Sequence, residues 1–178
     1  MNDKSLRVLA SIGLGVGGVL GMAGTFAPSA SLRGLAWGID GIALVMACLL
    51  LALRFFRMRQ EIVAAGFLVF AIGESLLVSG AAMDLAQSVP SLGGGVGLWA
   101  AGLALISVPR VFRMVVRLLG LATALLFAAT ACRIFAGTQI TALSQPFPFF
   151  AYPFLVATFA GWIVTILKDG AAVASAPL

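Results

Sequence analysis

The sequence predicts an all-α polytopic membrane protein, a bundle of six transmembrane helices with short loops. Three observations carry that prediction. Six apolar runs reach or approach the roughly 20 residues that a helix needs to cross a bilayer. Hydrophobic residues make up 62% of the chain and charged residues only 10%, against ~25% charged in soluble domains. The basic residues fall in short clusters between alternate apolar runs, the distribution expected of cytoplasmic loops. The 178 residues leave room for one membrane domain and no soluble one.

The first predicted span covers 8–27, after Lys4 and Arg7. A basic start before an apolar run also fits a signal peptide. Pro28 follows Ala27 directly and would stand third upstream of a cut after Ala30, a poor cleavage site, so the run reads as a retained helix. Gly13, Gly15 and Gly18 formally match a GxGxxG fingerprint, but that motif needs a preceding strand, for which there is no room. Gly13, Gly17 and Gly21 recur every four residues and line one helix face. Such a face admits a second helix at close range, within the bundle or from another copy of the chain.

The second span covers 34–53 and holds Asp40; Arg54, Arg57 and Arg59 follow as a basic loop. The third, 62–83, carries Glu74 near its centre, with Ser75 and Ser79 placed to bond across helices. Residues 84–95 read as a polar, glycine-rich connection, from which the fourth span, 92–108, borrows its first turn. Arg110, Arg113 and Arg117 form a second basic loop before the fifth span, 118–136, which contains Arg133. The sixth covers 149–167, and residues 170–178 read as a flexible tail. Phe147, Phe149, Phe150, Tyr152 and Phe154 at the start of this last span read as an interfacial belt or, as the alternative, the mouth of a site for an apolar ligand. The segments Arg54–Met58 and Arg110–Met114 share the pattern RxFRM. They suggest that spans two and three are a hairpin repeated as spans four and five, or else that the pattern simply recurs where a helix leaves the same interface.

Six spans place Lys4, Arg7, Arg54, Arg57, Arg59, Arg110, Arg113, Arg117 and Lys168 on one side and only Arg33 and Arg133 on the other. The positive-inside rule then puts both termini in the cytoplasm of a bacterial-type inner membrane. This distribution accounts for the net charge of +5 without nucleic acid as a partner. The partners predicted are the lipid bilayer and either further copies of the chain, as a homo-oligomer, or a larger membrane complex.

Three charged residues lie inside spans. Counting helix rise from the span ends, Glu74 lies roughly 12 Å from the outer face, Asp40 roughly 9 Å and Arg133 roughly 8 Å. An unpaired charge at such depth is costly, so the sequence predicts a polar cluster of Asp40, Glu74 and Arg133 in the outer half of the membrane; the alternative is that Arg133 snorkels to the outer interface and Asp40 sits near a wet helix end. Catalysis has little to work with. There is no histidine, the usual general base and the commonest metal and haem ligand. No base lies beside a serine, and Asp40 and Glu74 are too few to build a metal site. Cys48 and Cys132 read as buried apolar fillers, roughly 12 Å apart in depth by helix rise and so beyond disulfide reach. The sequence therefore points to no cofactor and away from an enzyme. It leaves two expectations: a permease or solute-binding protein using the charged cluster, or a non-catalytic accessory subunit of a larger complex.

Overall fold

Inside a bilayer every backbone amide has to be satisfied within the protein, which favours long, unbroken helices. The computed structural model describes residues 2–80 and 85–174, with side chains described over 2–80 and 88–168. Among the described residues there are six helices and no strand: α1 Asp3–Thr25, α2 Ala30–Arg57, α3 Glu61–Gly80, α4 Leu85–Ser107, α5 Met114–Phe135 and α6 Ala151–Ala174. All six are long and apolar enough to span a membrane.

Several boundaries differ from those read in the sequence. α2 begins at Ala30 rather than 34 and runs through Arg57 rather than stopping at 53, so Arg54 and Arg57 belong to its last turn and not to a loop. The stretch taken for a glycine-rich connection is helical from Leu85 onward, with Pro90 within the helix. Pro90 is the sixth residue of α4, past the first turn, so it removes one intrahelical hydrogen bond from the helix. The glycines there serve close packing rather than a turn: a methyl group on Gly93 would meet Ile134 and Phe135 of α5 at 3.0 Å. α6 continues to Ala174, so the predicted tail is helical up to that residue. Residues 81–84, at the end of the third predicted span, and 175–178 lie outside the described residues. The two RxFRM segments differ in structure: Arg54–Arg57 close α2, whereas Arg110–Arg113 lie in the α4–α5 connection.

The helix ends are well satisfied. The Asn2 side chain accepts a hydrogen bond from the Ser5 N–H at 2.8 Å, and Ser29 Oγ accepts one from the Leu32 N–H at 3.2 Å, side-chain caps for α1 and α2. α5 stops in a Schellman motif: Gly137 has φ 87°, its N–H donates to Ile134 O and the Thr138 N–H donates to Arg133 O, each at 3.0 Å. α2 stops the same way, but Arg59 occupies the left-handed position with φ 58°. Arg117 donates to Ser107 O at 2.8 Å and Val108 O at 2.7 Å, closing the end of α4 with a cation where the helix dipole favours one. Asp3 ties the chain start to the end of α2, pairing with Arg7 at 2.8 Å and with the buried Arg54 at 3.2 Å.

The helices form a closed ring. Each packs on its neighbour in chain order, and α6 returns to α1; no described backbone pair packs across the ring. Aromatic side chains fill the interior instead. Phe55 stacks on Phe67 at 5.5 Å between ring centroids, Phe67 meets Trp162 at 5.0 Å, Phe70 stacks on Trp99 at 5.3 Å, and Trp99 meets Phe127 at 5.1 Å. In lipid the hydrophobic effect does not draw helices together, so packing of this kind has to. Each such pair is worth ~0.5–1.5 kcal/mol beyond the area it covers.

The tightest seam joins α3 to α4. Gly66, Gly73 and Gly80 recur every seven residues on α3, as do Gly95 and Gly102 on α4, the period of helices that stay in contact over their length. A methyl group on Gly102 would sit 2.8 Å from Gly66 O, and one on Gly73 2.8 Å from Gly95 O. The two backbones therefore touch in antiparallel register. Elsewhere buried hydroxyls are satisfied locally: Thr123, Thr130 and Thr158 each donate to the carbonyl four residues earlier, at 2.8–2.9 Å.

Candidate functional site

The α1 glycine face builds one wall of the site. Gly13, Gly17 and Gly21 all face α2. A methyl group on Gly13 would lie 2.8 Å from both Ala43 O and Ala47 Cβ, so there the helices touch. One turn further, a methyl on Gly17 would run into the Leu44 side chain and lie 3.1 Å from Asp40 Oδ1; on Gly21 it would lie 2.8 Å from Asp40 Oδ2. The lower part of the face thus packs helix on helix, and the upper part makes room for a carboxylate.

Glu74 reaches the same place from α3. Its Oε1 lies 3.1 Å from where a side chain on Gly41 would begin, and Gly41 directly follows Asp40. Here too glycine makes the approach possible. Asp40, Glu74 and Tyr152 all line one cavity. The Trp99 indole lies beside Glu74, with its N–H outside hydrogen-bonding geometry. Asp40 is 9% exposed and Glu74 4%. Asp40 Oδ1 and Glu74 Oε2 are buried with no hydrogen-bond partner.

Both acids face a cavity of about 780 Å³. It occupies the end of the ring away from the chain termini, bounded by the later turns of α1 and α3, the early turns of α2, α4 and α6, and Gln139–Ala142 of the α5–α6 connection. Phe159 and Trp99 belong to both the cavity wall and the aromatic core, so the core forms its floor. The cavity exists because side chains are missing from its walls. Methyl groups on Gly34 and Gly38 would meet nothing within 4 Å, and one on Gly18 would make only ordinary contacts with Phe159 and Val156. Trp37 is fixed by donating its indole N–H to Gly21 O at 3.2 Å. The lining is mainly Leu, Val, Gly and aromatic residues, with Ser88, Gln139 and Thr141 among the few polar ones.

No Lys or Arg is among the described residues that line it. Two carboxylates buried in a mostly apolar wall have given up much of their hydration. Such a pair has a place for positive charge that no described lining side chain fills.

The structure brings together two of the three residues of the sequence-predicted cluster. Arg133 is exposed on α5, does not line the cavity and makes no ion pair with a described residue. Helix rise gives depth but not rotation about the axis, and α5 is apolar nearly all round, so its sequence does not mark an inner face. Ser75 also departs from expectation: its hydroxyl donates to Ala71 O of its own helix at 2.9 Å rather than across to another. Cys48 is buried as expected, whereas Cys132 is exposed. Tyr152, read as part of an interfacial belt, instead packs against Trp99 and Phe127 at the cavity floor. Trp37 and Trp99 carried no sequence signal of a site beyond their residue type.

No known protein family, curated protein or solved structure matches this chain.

Proposed function

We propose that this chain is a small solute-binding membrane protein of the permease kind, and that its solute occupies the cavity above the aromatic core. One observation carries the reading: two buried carboxylates, each with an unpartnered oxygen, open into an otherwise apolar space within the size range of ligand pockets. Polar groups kept inside a membrane protein at such cost usually serve a ligand or an ion. The nine-to-two distribution of basic residues supports an orientation with both termini in the cytoplasm, which turns the cavity outward. A bacterial-type inner membrane fits the same pattern. Association with further copies or with larger subunits would use the apolar outer faces of the ring, since the α1 glycine face is occupied by α2.

Trp37 and Trp99 in the cavity wall are built-in reporters. Purified protein in mild detergent is titrated with amphipathic solutes of positive, negative and zero charge while tryptophan emission is followed. A saturable change with at least one of them is expected. Gly38→Leu, which projects bulk into open space rather than into a neighbour, should abolish that change while leaving the protein monodisperse. A response that survives Gly38→Leu unaltered, or no saturable response to any solute, would overturn the reading.

A further inference from the structure

We propose that the solute is an organic monocation with a broad apolar or aromatic body, its charge held between Asp40 and Glu74 and its body against Trp37, Trp99 and Tyr152. This rests on the reading of the cavity as a solute site and names what that site selects. Three features point the same way. First, the walls contain two acids and, among the described residues, no base. An anion would meet the Asp40 and Glu74 oxygens with nothing to offset the repulsion. A neutral solute would offer the two acids no counter-charge, and they would stay buried only as neutral, protonated groups.

Second, the polar groups at the cavity floor are poorly suited to a small hydrated metal ion. A hard cation takes at least six oxygen ligands. Here the cavity that holds the carboxylates is lined by Leu44, Leu77, Val78 and Phe159, and no group of three or more His, Cys, Asp or Glu side chains that could hold a metal exists among the described residues. A diffuse, weakly hydrated charge gives up little solvation on entering such a space. Third, the aromatic residues are where such a charge is stabilised. Trp99 lies beside Glu74, Tyr152 is in ring contact with Trp99 at 6.5 Å between centroids, and Trp37 stands on the α2 turn that carries Asp40. Aromatic faces attract cations most strongly when water is excluded. The glycine-lined walls leave room for bulk around the charge.

Two probes of closely similar size and shape separate charge from bulk: tetraphenylphosphonium and tetraphenylborate. Triphenylphosphine oxide serves as a neutral third. Binding is measured by equilibrium dialysis in detergent against the wild type, Glu74→Gln, Asp40→Asn, Trp99→Leu and Gly38→Leu, each first checked for monodisperse elution. The phosphonium should bind saturably and the borate should not. Glu74→Gln and Asp40→Asn should each weaken phosphonium binding roughly tenfold or more, as loss of one partner from a buried charge pair does. Trp99→Leu should weaken it less. If one acid variant fails to fold, the other and Trp99→Leu carry the comparison.

Equal binding of all three probes, lost in Gly38→Leu but indifferent to both acid variants, would sink the cation assignment and leave the cavity as a solute site. Preference for the borate would do the same. No Gly38-sensitive binding of any probe would sink both.

Discussion

Replacing Gly102 with alanine adds one methyl group to α4 at a point where the structure has no space for it. The new carbon would lie 2.8 Å from Gly66 O, 2.9 Å from Phe70 N and 3.0 Å from Phe70 Cβ. Two of these are backbone atoms of α3, and the third is fixed by a ring stacked on Trp99, so no flexible side chain can swing aside. Relief requires the two helices to separate by roughly half an ångström or more. A gap of 0.5–1 Å forfeits about a quarter to a half of each van der Waals well along the seam. The same movement loosens the reciprocal Gly73–Gly95 contact and the Phe70–Trp99 stack. Overpacking of this kind costs about 1–3 kcal/mol. Gly97→Ala is the matched control on the same helix: its methyl would meet only Ala131 Cβ, at 3.7 Å, an ordinary contact. It should be neutral or slightly stabilising. Equilibrium unfolding in mixed micelles of mild and denaturing detergent reads both free energies directly. Equal effects from the two variants would refute the seam argument, because they would show that space, rather than glycine as such, does not matter there.

Three further outcomes follow from the geometry. Because Arg133 is exposed and away from the cavity, Glu74→Leu and Arg133→Leu should add independently in a double-mutant cycle; a coupling above ~0.5 kcal/mol would restore the three-residue cluster. In a cysteine-free background, a cysteine at position 144 should react with an impermeant maleimide from outside intact cells and one at position 57 should not; the reverse pattern would invert the topology. Gly137→Val places a branched side chain at φ 87° and should destabilise by at least ~1 kcal/mol, while Arg59→Gly, which relieves the same conformation at φ 58°, should not destabilise in the same unfolding assay.

The fold was legible because the bilayer narrows the choices. Length and apolarity fix the number of helices, and the clusters at Arg54–Arg59 and Arg110–Arg117 mark two of the turns. Boundaries were less legible where composition misleads. Gly93, Gly94 and Gly95 look like a loop to a reading calibrated on water, yet in a membrane bundle glycine is what lets backbones meet. The seven-residue spacing of Gly66, Gly73 and Gly80, and separately of Gly95 and Gly102, was available in the sequence and marks the α3–α4 seam. The aromatic core was hidden for another reason: Phe55, Phe67, Trp99 and Trp162 stand on four different helices, and only the ring closure brings them together.

The site was half legible, and the half that was missed explains its chemistry. Depth along a helix follows from counting residues, so Asp40 and Glu74 could be placed at similar height. Facing direction needs a patterned helix. On α2, Asp40, Leu44, Ala47 and Leu51 follow a buried stripe at helical spacing; on α5, Arg133 sits beside such a stripe, not on it, with Thr130, Ala131 and Ile134 turned inward around it. Assigning Arg133 to the cluster would make Asp40 and Glu74 parts of a neutralised structural group. Its removal to the outside leaves two acids in walls where no described residue supplies a base and which glycine keeps bare. The same α1 glycine face that the sequence offers as a packing surface holds one helix at Gly13 and one carboxylate at Gly17 and Gly21. Packing and site are thus built from a single four-residue repeat. A bulky substitution at Gly21 should therefore alter cation binding, and one at Gly13 should alter stability first.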